Sequence, residues 1–490
     1  MKPAVRAAFD HETSIPPCSA RCAALALAAL LAACSVGPDY RPPATPAPAS
    51  WSAPIPDAES NATDDPAALA TWWRHFDDPL LEHLIERALA ANPDVHSAQA
   101  RVREARAARE QALAAWYPTA GISVSRSDSH GHDTNGRGQT NRLYRAGFDA
   151  GWEIDLFGGT RRANEAAQAE LEAVRADLYA LRISLAAEVA LDYTDLRRLQ
   201  QQLDIAQRNL DMQTETAQIA GWRTMAGLAS ALDAEQAIAA REQTRARIPA
   251  LTTALAQTRH RLGTLLADPA ETTLADLARP QPIPLPQWQL AVGIPADALR
   301  RRPDVHAAER RLAAATARIG VATAARYPSL SLSGTLGLQA RTFSGLDAHD
   351  TGSRSLGSSL AATLFDAGRL RREVEIGNAR EQQALAAWES TVFSALEETA
   401  DALAALDGSQ REHAALGDAA AAARTAATLA RAQYEAGLID FATLLLAERT
   451  RLDAESAVAA ARADAAGAMI RLYKSLGGGW DPATDTKDRG

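Results

Sequence analysis

The sequence predicts a mainly α-helical chain with a membrane β-barrel portion, built as two tandem repeats of helix–strand–strand–long helix–helix. Three observations predict it. Sliding the chain against itself by 210 positions lays Pro93-Asp94-Val95-His96 on Pro303-Asp304-Val305-His306 and Tyr117-Pro118 on Tyr327-Pro328, and Gly227-Leu228 falls on Gly437-Leu438. One internal order repeated at a fixed offset marks a duplicated structural unit. Four segments alternate apolar and hydrophilic residues, the period of a half-buried strand. The rest is rich in Ala, Leu, Arg and Glu with only 5% aromatic residues, a balance that suits long helices better than a compact α/β core.

The chain of 490 residues has a formal net charge of -9, which argues against a nucleic-acid partner. Its three cysteines, Cys18, Cys22 and Cys34, leave the body without a disulfide framework or a cysteine-based metal site. Arg21 precedes an apolar run, Ala23 to Ala33, too short to span a bilayer but suited to a signal-peptide core. The run ends in Leu31-Ala32-Ala33-Cys34, a bacterial lipobox. Residues 1–33 are therefore expected to be a lipoprotein signal peptide, with Cys34 lipidated as the mature N-terminus; the residues before Arg21 exceed what such a leader needs, so translation could start downstream. Ser35 stands where aspartate would favour inner-membrane retention, which points to outer-membrane sorting. Residues 34–70 then read as a Pro/Ala-rich tether.

The first repeat is expected over 71–268 and the second over 298–477, joined by a Pro-rich connector at 269–297 and followed by a tail at 478–490. Each opens with a helix of roughly thirty residues, stopped by Tyr-Pro because proline cannot continue the hydrogen-bond ladder. Strands are expected at about 119–129 and 143–155 in the first repeat and 329–339 and 354–365 in the second. In "LYRAGFDAGWEIDLF", Tyr144, Phe148 and Trp152 alternate with Arg145, Asp149 and Glu153. In "SLSLSGTLGLQ", Leu330 and Leu332 alternate with serines, and Leu360 continues the pattern in the fourth segment. A soluble sheet packed on a helix is one reading. Strands of membrane-spanning length with small or charged inner faces and flanking aromatics fit a transmembrane barrel with a wet lumen. Four strands cannot close such a barrel alone, so several subunits must share it.

The long helices are expected from about Arg161 to Ile219 and from Arg369 to Tyr434, each roughly 90 Å at about 1.5 Å per residue. Turns at about 221–230 and 434–441 lead into return helices ending near Leu266 and Leu476. Apolar positions such as Leu171, Val174, Leu178 and Leu181 recur at three- and four-residue spacing. That pattern is equally compatible with a filled antiparallel bundle and with a hollow helical barrel.

Taken together, the lipobox, the tether, "WWRHFDDPLLEHLIERALAANPDV", "YRAGFDAGWEIDLFG", "RRRPDVHAAERRLAAATARIGVA", "LFDAGRLRREV" and "LYKSLGGGW" resemble the TolC-like outer-membrane factor family, in its OprM/NodT lipoprotein branch. The resemblance implies a homotrimer whose four strands per subunit make one 12-stranded barrel, continued by a periplasmic α-helical barrel with the connector in an equatorial collar. It implies the passive exit duct of a tripartite efflux system for drugs and small toxic compounds, served by a periplasmic adaptor and an inner-membrane pump, most commonly proton-driven. The outer membrane is the implied site, with no cofactor beyond the lipid on Cys34. By the same resemblance, Gly227, Leu228, Ser230, Gly437, Leu438 and Asp440 sit at tips that meet the adaptor. Asp233 and Tyr434 sit where the coiled coils are tied shut, and Thr443 and Leu446 sit at the aperture. Leu446 stands where the family commonly has an aspartate, a departure that argues against an acidic ring there.

Chemistry of other kinds is weakly encoded. His130, His132 and Asp133 share a polar loop that reads as a solvated connection rather than a metal site. His96 and His306 recur with the fold, which suggests packing or a helix end. No catalytic triad, carboxylate pair or glycine-rich phosphate loop stands out, so no enzyme is expected. A coiled-coil scaffold lipoprotein would account for helices and anchor but leave the strands without purpose, and a secretion duct would share every feature named above.

Overall fold

The computed structural model describes residues 35–44, 48, 69–132, 138–268, 277–285, 299, 301–347 and 350–480. The leader, Cys34, most of the tether, the bulk of the connector and the tail beyond 480 lie outside them. The element order is α1 (Pro79–Ala91), α2 (Pro93–Ala114), β1 (Thr119–His132), β2 (Gly138–Ile154), α3 (Gly159–Met225), α4 (Ala231–Leu265), α5 (Pro303–Ala324), β3 (Ser329–Ala340), β4 (Gly352–Ala361), α6 (Arg369–Glu435) and α7 (Phe441–Ser475). The duplication is nearly exact in the helices: α2 and α5 have 22 residues each, α3 and α6 67, and α4 and α7 35. Among the described helices, none is long and apolar enough to cross a membrane.

The opening helices depart from expectation. They are 22 rather than about thirty residues long, because the residue before a proline is driven out of the α region while the proline itself suits the first helical turn. Asn92, preceding Pro93, adopts an extended conformation and separates α1 from α2. The fourth strand also differs: it ends at Ala361, not near 365, and Leu364 and Phe365 lie beyond it. Asp366 ends that run by accepting hydrogen bonds from the amides of Gly368 and Leu370, a turn that launches α6. The first hairpin is longer than expected, since β2 already begins at Gly138.

Two compact units form, and they do not coincide with the repeats. One comprises Met1–Pro42, Ala105–Leu171 and Arg311–Leu385 as far as these are described, and holds the sheet. The other comprises Pro43–Glu104, Glu172–Arg310 and Ala386–Gly490.

The helical unit is cored by Trp72, Leu81, Leu84, Ile85, Tyr193, Leu196, Leu262, Leu403, Ile470 and Tyr473. Trp72 stacks on Tyr473 with ring centroids 5.2 Å apart, and burial pushes the Tyr473 phenol up to about 12. Much of the remaining helix contact is alanine, with Ala459, Ala461, Ala463, Ala465, Ala466 and Ala468 all buried along α7. Side chains this small let helix backbones approach closely.

Polar staples fix the helix ends. The fully buried Arg197 donates to Gln200, to the Tyr193 hydroxyl and to the carbonyl of Arg279; Gln200 donates to the carbonyl of Leu277. Tyr193 in turn donates to Asp78, whose other oxygen accepts the amides of Leu80 and Leu81 and so caps α1. The network ties the described part of the connector and the start of α1 to the middle of α3. Equivalent positions of the repeats do equivalent work: Asn92 donates to the carbonyl of Leu265, and Arg302 donates to that of Ser475. Each thus satisfies the end of its return helix, where orphan carbonyls accumulate. The His96 ring nitrogen Nε2 donates to the Ala90 carbonyl at the end of α1, a helix-end role.

Arg302 also pairs with Asp304 at 2.6 Å and Glu398 at 2.7 Å. Burial alone would raise the Asp304 carboxyl, but the Arg302 guanidinium outweighs it and holds the group below the usual carboxylate range. Replacing Arg302 with leucine would leave Asp304 and the Ser475 carbonyl without their shared donor. The expected cost is about 2 kcal/mol or more, read as a lowered midpoint in thermal unfolding of the helical circular dichroism signal. An unchanged midpoint would refute the staple.

Candidate functional site

Two regions could carry function: the four-stranded sheet and the paired helix tips. The sheet is antiparallel in the order β1-β2-β3-β4, so β1 and β4 are open edges within the chain. The register pairs Ile122 with Phe148, Phe148 with Leu336, Trp152 with Leu332, and Leu330 with Leu360. Directly paired residues share a face, and every pairing joins even-numbered residues to even-numbered ones or odd to odd. One face therefore carries Ile122, Val124, Tyr144, Phe148, Trp152, Ile154, Leu330, Leu332, Leu336, Leu338, Leu356 and Leu360. Among the described residues nothing covers much of it: Ile122 is 76% exposed, Phe148 63% and Leu360 67%.

That apolar band has the height of a membrane core. Tyr144 to Ile154 spans ten residue steps of β2. At about 3.4 Å per step and a tilt of about 40°, the rise is about 26 Å. At the loop end of the same face lie Arg126, Asp128 and Arg142, joined as ion pairs at 2.6 and 3.2 Å, with the Arg126 guanidinium over the Tyr144 ring. Tyr144 also meets Phe343 edge to face at 6.0 Å. Arg354, near the loop end of edge strand β4 and paired with Leu336, is the remaining charge on this face. The opposite face is Ser123, Ser125, Ser127, Ser331, Ser333, Thr335, Ser355 and Ser359, with glycines and a few charges on β2. His130 and His132 end β1, and Asp133 lies outside the described residues. Among the described residues no group of three or more His, Cys, Asp or Glu is arranged to hold a metal.

The first described residues dock onto the sheet unit. The amide of Val36 donates to the Phe157 carbonyl, just past the end of β2. Arg162 donates to the carbonyl of Val36 and pairs with Asp39 at 2.6 Å. Gly37 has φ +93°, and a Cβ there would stand 2.5 Å from the Cα of Gly320, so only glycine allows this approach. Tyr40 packs against Ala169, Ala313 and Ala314.

Both tips are built alike. In the first, Gly227 has φ +70°, its amide donates to the Thr224 carbonyl, and the Leu228 amide donates to that of Arg223. In the second, Gly437 has φ +72° and the same two bonds run from Gly437 to Tyr434 and from Leu438 to Gln433. This is the paired-bond glycine cap of a helix C-terminus. It leaves Leu228 and Leu438 projecting, 77% and 74% exposed. Ser230 and Asp440, grouped with the contact residues by resemblance, are the N-caps of α4 and α7. Ser230 and Asp233 form a reciprocal capping box on α4. Asp440 accepts the Thr443 amide, and hydrogen bonding from Thr443 holds its carboxyl below the ordinary range. Thr443 is thus occupied in a cap, whereas Leu446 is 66% exposed.

The structure does not bring Asp233 and Tyr434 together within the chain. Asp233 is committed to its own helix start, and among the described residues no hydrogen bond links the two. Tyr434 lies instead under the Arg223 guanidinium at 4.7 Å and meets Phe441 edge to face at 5.7 Å. Beneath it sits a small core of Ala217, Ala220, Ala237, Ala430, Phe441 and Leu444. Nearby, Arg431 reaches the buried Glu448 at 2.8 Å, and Arg451 donates to Asn209. Arg223, Phe441 and Glu448 escaped sequence reasoning because the repeat carries no counterpart of them: offset by 210, Arg223 meets Gln433 and Phe441 meets Ala231.

Comparisons with known proteins place both regions in one context. The model of the family described as "Outer membrane efflux protein" matches residues 84–268 and again 294–478. Nodulation protein T of Rhizobium leguminosarum bv. viciae is 33% identical over 466 residues, covering 94% of each chain. Outer membrane protein OprJ of Pseudomonas aeruginosa is 33% identical over 468 residues, 94% of this chain and 95% of its own. The solved outer-membrane channel OprN is 39% identical with a TM-score of 0.85, over 92% of this chain and 100% of that one.

Alanine at either tip glycine would strain the left-handed turn by about 1 kcal/mol. Gly227→Ala and Gly437→Ala are expected to speed hydrogen exchange at the Leu228 and Leu438 amides respectively. Wild-type exchange rates in both variants would show that the caps do not hold the tips.

Proposed function

The chain belongs to the outer membrane efflux protein family, and from that membership we propose how it works: three copies join their sheets into one barrel, and the tips of the helices meet a periplasmic adaptor that links the duct to an inner-membrane pump. It is an outer-membrane efflux channel. The reading assigns it passive conduction and no catalysis. Drugs and small toxic compounds are its expected cargo, with a proton-driven pump supplying the energy; curated relatives include a toluene efflux protein and a pyoverdine export protein, both of Pseudomonas putida.

The observation that carries the trimer is the uncovered sheet. Its band is apolar on one side and serine-lined on the other, and both edges are open. In hydrocarbon each unpaired backbone group costs several kcal/mol. Pairing β4 of one copy with β1 of the next removes every edge and turns the serine face inward. Adaptor contact is supported by the two projecting leucines, Leu228 and Leu438, held out by rigid caps. For the gate, the geometry favours Tyr434 over Asp233, because Tyr434 joins α3 to the second tip through Arg223 whereas Asp233 is spent locally.

Reconstitution tests this reading. Purified mature protein is expected to run as a trimer and to open ion-conducting pores in planar bilayers, and its removal from the cell should raise drug susceptibility. Tyr434→Ala, which removes the ring that Arg223 and Phe441 contact, and Asp233→Ala together test the gate: raised leak through Tyr434→Ala supports it. Conductance and susceptibility unchanged in both variants would discard any gating role for these residues.

We also infer that Cys34 carries the lipid. Support comes from Ser35 to Tyr40, which dock beside the inner end of β2 and would hold an acyl chain against the Ile154 end of the apolar band. Cys34→Ala is expected to abolish incorporation of labelled palmitate; full labelling of that variant would refute the assignment.

A further inference from the structure

The hydrophilic face of the sheet carries charges that nothing among the described residues answers. Arg145, Asp149 and Glu153 lie four residues apart along β2 and share that face. Across the register Arg145 meets Ser125 and Gln339, Asp149 meets Gly121 and Thr335, and Glu153 meets Ser331. All three are exposed, and among the described residues no ion pair or hydrogen bond engages their side chains. Every other residue of this face in the four strands is uncharged. The contrast with the lipid side is direct: there Arg126, Asp128 and Arg142 are paired with one another.

We propose that Asp149 and Glu153 form two acidic rings in the barrel lumen, opposed by a single basic ring of Arg145 nearer the loops, and that the acidic rings make the barrel favour cations over anions. The proposal rests on the trimeric channel described above, which would repeat each residue three times at one height. Strands about 4.8 Å apart and tilted about 40° put the wall of a twelve-stranded barrel about 12 Å from its axis. Side chains reach inward from that wall, and the screening length at physiological salt is about 8 Å. A ring at that radius is felt across most of the lumen. Successive rings are separated by about 13 Å along the strand, so the arginine ring does not cancel the acids beneath it. Low-dielectric walls focus the field further. The spacing thus gives a solute leaving the cell two acidic levels and then one basic level, and the small serines and glycines around them leave the charges fully presented to the passage.

The test is the reversal potential of the reconstituted trimer in a planar bilayer under a potassium chloride gradient. The wild type is expected to prefer potassium. Asp149→Asn combined with Glu153→Gln should lower the cation-to-anion permeability ratio roughly twofold or more, and Arg145→Ala should raise it. Both effects should fade at 1 M salt, where the screening length falls to about 3 Å. Trimer mobility and single-pore openings at wild-type frequency confirm that the variants assemble. Pores that open normally while both variants keep the wild-type reversal potential overturn the rings and leave the channel standing. Protein that forms no pores at all sinks the channel reading, and the rings with it.

Discussion

The constraint on which the structure turns is the fate of backbone hydrogen bonds at the edges of the sheet. Inside the chain β2 and β3 are paired on both sides, while β1 and β4 each leave one side open. Water would satisfy such edges, but hydrocarbon does not. The even-to-even register makes the choice of solvent unambiguous. A slip of one residue at any pairing would turn serines toward the apolar side and leucines toward the polar side. With Ile122, Phe148, Leu336 and Leu360 all on one face, the sheet is suited to lipid outside and water inside, and only a closed ring of strands reconciles that with its edges.

The helices obey a different economy. Their lengths are copied from one repeat to the other, and their contacts are dominated by alanine with a few large anchors such as Trp72 and Tyr473. Alanine contributes little transfer energy per side chain, so position is fixed at the ends instead. Asn92 and Arg302 close the return helices, the Arg197 network holds α1 and the connector segment to α3, and glycine caps fix both tips. Polar residues specify where the helices stop, and small residues specify how closely they run.

What could be read from residues alone follows the same division. The offset of 210 located both long helices and both tips, because periodicity and proline or glycine breaks are local signals. The alternation in "YRAGFDAGWEI" assigned faces correctly, since side-chain parity is a property of one strand. The end of β4 was not legible: Leu360 and Leu364 continue the alternation, but the turn at Asp366 ends the strand earlier. Nor was the Arg223–Tyr434 contact, which joins residues more than two hundred positions apart and occurs in one repeat only. The capping role of Asp233 is local by contrast, since its partner Ser230 stands three residues before it, the spacing of a capping box.

The two tips, alike in their caps, differ in what lies behind them, and that difference bears on where motion can occur. A turn closed by two backbone bonds and a left-handed glycine is stiff, so displacement has to be taken up by helices sliding past one another. Between the tips the sliding surfaces are Ala217 and Ala220 of α3, Ala237 of α4 and Ala430 of α6, which interlock less than large side chains do. The ties across that surface are few: Arg223 over Tyr434, Tyr434 against Phe441, and Arg431 with Glu448. A cation over an aromatic ring is worth about 0.5–1 kcal/mol when exposed and about 2 when desolvated. That is enough to bias a closed arrangement and little enough for a docking partner to overcome. The first tip adds a capping box within one helix, which resists fraying, and it also supplies Arg223, the cation that reaches Tyr434. A partner that engages both leucine knobs would therefore pull on two tips joined through Arg223 and Tyr434, and opening would begin where α3 meets α6.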